Sequence, residues 1–178
     1  MPYFDPLDGG VHASMLVLLE RPARHPMRPR FVSRDNPGPA QQNLKRFLLE
    51  ANVPRKMTVL WNLIPWLPPD DHPVSSVRRA DIAAGLAALP VLLGLLPALR
   101  VVVLAGRTAS GAIPTVHQWR PEIPILTMPH PSPLSVNQHP EVARRIVSAL
   151  RQARRLTRQS AAVAFNEAMH GETNRSPR

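Results

Sequence analysis

Six consecutive residues, His130-Pro131-Ser132-Pro133-Leu134-Ser135, bring together groups that rarely share a short loop. They hold a titratable ring, a hydroxyl and a large apolar tip. Two prolines fix φ and remove amide donors, so the backbone after His130 is expected to be a stiff loop. The segment follows Ile125-Leu126-Thr127-Met128, a short apolar run that reads as a buried strand. An imidazole held at a strand end can stabilise a developing anion. A rigid Leu134 can wedge between stacked rings. The plainer alternative is a proline-rich turn with a surface histidine.

Other residues suit the same chemistry. Asn62 interrupts the otherwise apolar run Trp61-Asn62-Leu63-Ile64. A buried carboxamide must find partners or cost about 1–3 kcal/mol. Its carbonyl and amino groups match the N3–H and O4 of a uracil-like edge; neighbouring backbone could satisfy it instead. Phe31 follows a proline- and arginine-rich loop and could stack on an extruded base or fold back onto the core. Arg24, His25, Arg28, Arg30 and Arg34 surround it as a candidate collar for phosphates, or as a solvated basic loop. Glu20 and Asp35 compete for the role of catalytic carboxylate. Glu20 ends a strand. Asp35 precedes a helix and equally suits a helix cap. The arginines 144, 145, 151, 154, 155 and 158 read as a solvated helix face, with contact to a nucleic-acid backbone as the alternative.

Positioning these groups requires a scaffold, and four apolar runs supply it: Met15–Leu19, Thr58–Ile64, Val101–Ala105 and Ile123–Met128. They are continuous rather than alternating, as strands covered on both faces should be. Helical patterns lie between and after them. One spans Pro39 to Ala51. Another runs from about Ser76 to Leu96, as one long helix or as two broken at Pro90. A third covers Thr108 to Trp119 and is interrupted by Pro114. The last runs from Pro140 to about Phe165. Strand–helix alternation predicts an α/β fold, a three-layer αβα sandwich around a four-stranded parallel sheet. One domain is expected over residues 1–165, with residues 166–178 as a disordered tail. Ligands of open α/β sheets bind beyond the carboxyl ends of the strands. There the four runs deliver Glu20, Asn62, a Gly106-Arg107 turn and His130.

The charge fits a polyanionic partner. The 178 residues carry 22 Lys and Arg against 12 Asp and Glu, a net +10. Lys45 and Lys56 are the lysines; the other cations are arginines, which grip phosphate well. A compositional bias toward Arg, Ala and Pro would raise the charge without function. With no cysteine in the chain, disulfides, Cys-ligated zinc and Cys-ligated iron–sulfur clusters are excluded. The N-terminus shows no signal-peptide pattern, and a cytoplasmic location is expected. Ile82 to Leu99 is uncharged and long enough to test as a membrane span, but its glycines and prolines fit a buried helix, a turn and the next strand better.

Taken together, these segments resemble the uracil-DNA glycosylase superfamily over about residues 15–150. His130 to Ser135 matches the second motif in the form found in the best-known branch. Arg30-Phe31-Val32-Ser33-Arg34 is similar to the Pro-Phe-Val-Gly-Arg of the thermophile-type branch, whose Phe stacks on uracil. Val59-Leu60-Trp61-Asn62 resembles the strand whose Asn reads the base. Leu18-Leu19-Glu20-Arg21-Pro22-Ala23 occupies the place of the first motif, Gly-Glu-Ala-Pro-Gly, with Leu19 and Ala23 replacing both glycines. Arg21 stands where the best-known branch has its water-activating Asp. The thermophile-type branch carries a four-cysteine cluster that this chain cannot hold, so a cysteine-free bacterial branch is the better match.

The resemblance implies a monofunctional glycosylase that hydrolyses the N-glycosidic bond of uracil, or another deaminated base, in DNA. Glu20 or Asp35 would orient water, and His130 would stabilise charge on the departing base. Phe31, Asn62 and Ser132 would bind the base. Leu134 would fill the stack, and Arg24, Arg28, Arg30, Arg34 and Arg107 would hold phosphates. No metal or cofactor is required, and a monomer is expected. A catalytically silent binder of damaged DNA and a nucleoside hydrolase are the rival readings. The altered first motif keeps the binder open. Leu134 and the +10 charge oppose the nucleoside hydrolase.

Overall fold

The structure is a computed structural model that describes residues 2–23, 30–67 and 77–172, side chains excepted at 138 and 161–172. In chain order its elements are β1 (Tyr3–Phe4), β2 (Met15–Leu19), β3 (Phe31–Val32), α1 (Pro39–Glu50), β4 (Thr58–Asn62), α2 (Arg79–Gly94), β5 (Val101–Ala105), α3 (Gly106–Ser110), α4 (Ile113–Trp119), β6 (Ile125–Met128), α5 (Pro133–Gln138) and α6 (Pro140–Glu172).

Four strands form a parallel sheet in the order β4-β2-β5-β6. Every residue of β2, β4 and β5 is buried, as expected for strands covered on both faces. Helices α1, α5 and α6 pack together, and α2 packs with α4. The result is the expected αβα sandwich.

Helix α1 buries Leu44, Phe47 and Leu48, an i, i+3, i+4 face. Helix α6 buries Val142, Ile146, Val147, Leu150 and Ala153 by the same periodicity. Helix α2 is apolar nearly all round, and Pro90 lies inside it rather than breaking it. Buried Leu89, Leu92 and Leu93 hold both sides of the proline in the core. At about 1.5–3 kcal/mol for each buried leucine, they outweigh the ~3 kcal/mol of a mid-helix proline. Gly85 lets α2 approach the end of β4, because a Cβ there would lie 2.3 Å from the Leu63 carbonyl oxygen. Among the described residues no helix is long and apolar enough to cross a membrane.

Three elements differ from expectation. A second sheet, β1 with β3, pairs Tyr3 with Phe31 and Phe4 with Val32 in parallel. The stiff loop after His130 contains a helical turn, α5, because Ser132 caps it and Pro133 takes a first-turn position where no amide is needed. Helix α6 continues past Phe165 to Glu172. Pro114 begins α4 for the reason that Pro133 begins α5, so the expected helix from Thr108 to Trp119 divides into α3 and α4.

Candidate active site

The sheet order places β2 and β5 side by side, with chain connections leaving toward opposite helix layers. Such a switch point opens a crevice at the carboxyl ends of the strands. A cavity of about 170 Å³ lies there, lined by Glu20, Arg21, Asn62 and His130, with Ala40, Gln41 and Leu44 of α1 as one wall. It is close to the ~150 Å³ that admits a benzene ring in an engineered cavity.

Glu20 follows β2 directly. The Leu63 amide donates to the Leu19 carbonyl at 2.8 Å, and the Ile64 amide donates to the Glu20 carbonyl at 2.9 Å. The exits of β2 and β4 therefore stay zipped beyond the sheet, which fixes Glu20 beside Asn62. The Thr108 hydroxyl donates to Glu20 Oε2 at 2.5 Å. That bond crosses the switch point from α3, which begins where β5 ends. Glu20 is the only carboxylate among the described residues lining the cavity.

Asn62 pairs with Leu19 in register and is 4% exposed. Its carboxamide lines the cavity and has no hydrogen-bond partner among the described residues.

His130 is partly buried, and burial lowers its pKa below the usual 6.5 against the opposing pull of Glu20. The ring is therefore neutral near pH 7. The Ser132 amide donates to Nδ1 at 3.2 Å. A neutral imidazole that accepts at Nδ1 carries its proton at Nε2, so this contact makes Nε2–H the available donor. Gly106 has φ +87°, and a Cβ there would sit 3.0 Å from the His130 Cβ. Only glycine combines that backbone with that closeness.

Ser132 does not line the cavity. Its hydroxyl accepts from the Ser135 amide at 3.4 Å and lies 3.0 Å from the Ser135 hydroxyl. It caps α5, and its amide orients His130. Asn43 Nδ2 donates to the Pro131 carbonyl at 3.0 Å, which bolts the loop to α1. Leu134 projects from the first turn of α5 and is 70% exposed.

Phe31 is 43% exposed, so it is not folded into the core. Its ring lies 6.4 Å from that of Tyr3. Arg30 and Arg107 are exposed. Arg24 and Arg28 lie outside the described residues.

Two assignments are corrected. Arg34 is 5% exposed and lies 3.4 Å from Asp8, with a second contact to the Thr58 hydroxyl, so it is withdrawn from any phosphate. Buried Asp8 requires that countercharge; burial pushes its pKa up to about 6 even beside Arg34 and Arg55. Asp35 caps no helix, since α1 begins after Gly38 without a side-chain cap. It is paired with Lys45 at 2.7 Å and Arg55 at 2.6 Å, which hold its carboxyl below the ordinary range. Asp35 is also absent from the described cavity lining. Arg55 ties Asp35 to Asp5 at 2.6 Å and Asp8 at 3.0 Å, so this cluster anchors the N-terminal segment and β3. Thr108 and Asn43, which no sequence motif marks, contact Glu20 and the loop after His130.

The family profile of the uracil DNA glycosylase superfamily matches residues 20–153. The chain belongs to the uracil DNA glycosylase superfamily. The matched region opens at Glu20 and closes within α6, so Asn62, Thr108 and His130 all lie inside it. A comparison with curated proteins finds no match. Membership supports DNA glycosylase activity, and members of the superfamily differ in the base they remove.

Proposed function

We propose that this glycosylase removes uracil from DNA by hydrolysis, with Glu20, Asn62 and His130 as the working residues. The observation that carries this reading is Asn62, a buried residue whose carboxamide opens onto one cavity with a carboxylate and an imidazole. An amide left so exposes both a donor and an acceptor. Uracil offers the complementary pair in N3–H and O4.

The base leaves the stack at a cost of a few kcal/mol, least at a mismatch. Leu134 takes its place between neighbouring bases, and Arg30 and Arg107 hold phosphates. Phe31, exposed at the start of β3, supplies a stacking face. As the glycosidic bond breaks, electrons move onto the base and the sugar becomes cationic. His130 Nε2–H donates to O2, where the negative charge collects. Glu20, steered by Thr108, stabilises the cationic sugar and orients the water that attacks its anomeric carbon.

Incubation with oligonucleotides bearing uracil, hypoxanthine or no lesion, followed by alkali, tests the reading. Strand cleavage is expected at uracil and not in the unmodified control. Asn62→Ala should lower uracil excision at least about tenfold, as expected for a lost hydrogen bond of roughly 1.4 kcal/mol. Faster cleavage at hypoxanthine would reassign the base, and an undiminished Asn62→Ala rate would remove Asn62 from recognition.

A further inference from the structure

Helix α6 carries a second charged surface that the cavity does not use. Arg144, Arg151, Arg155 and Arg158 fall within about 60° of one another at 3.6 residues per turn and span about 21 Å of helix. All four are exposed, as is Arg145 on an adjoining face. From Val142 to Asn166 the chain has no carboxylate. The acids near this face are Glu50, whose carboxylate lies 4.0 Å from Arg151, and Glu141, 3.6 Å from His139. Arg151 also donates to the Glu50 carbonyl at 3.2 Å, and Arg154 to that of Asn52 at 3.1 Å. Arg144, Arg145, Arg155 and Arg158 have no partner among the described residues. Like charges at i, i+3 and i, i+4 repel along a helix unless an anion neutralises them.

The direction of the helix decides what that anion is. Helix α6 starts beside α5, at the cavity end of the sheet. By Ser160 it has reached the opposite end, because Arg100, which precedes β5, donates to the Ser160 carbonyl at 2.8 Å. Arg155 and Arg158 therefore lie toward the end of the sheet opposite the cavity, whereas Leu134 lies at the cavity end. The apolar face of α6 is buried in the core, which leaves nothing to insert into a lipid surface.

We propose that the outer face of α6 binds the phosphate backbone of a second DNA duplex segment while the cavity faces the first. The inference rests on DNA being the substrate polymer. A protein that holds two segments passes from one to the other without release into solution. Its departure from a labelled duplex then quickens as competitor duplex is added.

Stopped-flow dissociation of the full chain from a fluorescent duplex, at increasing concentrations of unlabelled duplex, reads this directly. The parent rate should rise in proportion to competitor. The double variant Arg155→Gln, Arg158→Gln should show a constant rate, while the matching Arg→Lys variant keeps the dependence. Binding should lose about 0.9 from its log–log salt slope for each phosphate contact removed. Uracil excision from a short duplex should stay at the parent rate in both variants. A parent rate independent of competitor, or a Gln variant that still responds, overturns the proposal. Acceleration by RNA and not by duplex DNA overturns it in favour of an RNA surface. Competitor dependence without any excision would leave the second surface standing and refute the uracil reading alone.

Discussion

Glu20→Gln is expected to slow single-turnover excision of uracil by about 10²–10⁴-fold, the range associated with a positioned acid or base. Gln keeps the length of the side chain and can still accept from Thr108, so the loss reports charge rather than shape. The same experiment on Asp35→Asn should give a mild effect. Asp35 is held between Lys45 and Arg55, and a neutral amide there weakens the anchoring of β3 without touching the cavity. The contrast separates two carboxylates between which sequence favoured Glu20 only narrowly. Excision at the parent rate in Glu20→Gln, with a large loss in Asp35→Asn, would transfer the role to Asp35 and require β3 to swing toward the cavity.

His130→Leu should cost about 10²–10³ in the excision step, comparable to removing one aimed donor from an oxyanion site. It should also leave a signature in stability. The folded-state pKa of His130 lies below the ordinary 6.5 because burial disfavours the charged ring. Above 6.5 the ring is neutral in both states, and its contribution to stability is whole. As pH falls below 6.5 the unfolded chain takes up the proton first, so that contribution is lost progressively down through the folded-state pKa. Thermal unfolding of the parent between pH 7.5 and 5 (values chosen to bracket ~6.5) should therefore show a decline that His130→Leu flattens. A His130 ring that titrates at or above 6.5 by NMR would contradict both the burial and the neutral donor.

The scaffold was legible because its strands are continuous apolar runs, and burial on both faces leaves little else for such runs to be. Asn62 was legible for the converse reason: one polar residue in an apolar strand must meet something. His130 and Leu134 declared themselves through the prolines that stiffen their loop. What stayed hidden depends on partners distant in sequence. Arg34 looked like one of several loop arginines, and only Asp8 and Thr58, brought over it by the fold, draw it inside. The pairing of β1 with β3 involves two residues from each strand, too few for a periodicity, and relies on the Arg55 cluster below it. Thr108 carries no motif; its function is set by the parallel register that brings the end of β5 beside the end of β2. Pro90 left one helix or two open, because the cost of a mid-helix proline is visible locally, whereas the leucine burial that offsets it is tertiary.

The most direct test is chromatographic detection of the free base released from a duplex with a single U·G pair, under excess protein. Free uracil equal in amount to the alkali-labile sites formed is expected, with both slowed together in Glu20→Gln. Tight, salt-sensitive binding of that duplex with no free base released would contradict it, and would make the chain a binder of damaged DNA whose altered first motif no longer supports the chemistry.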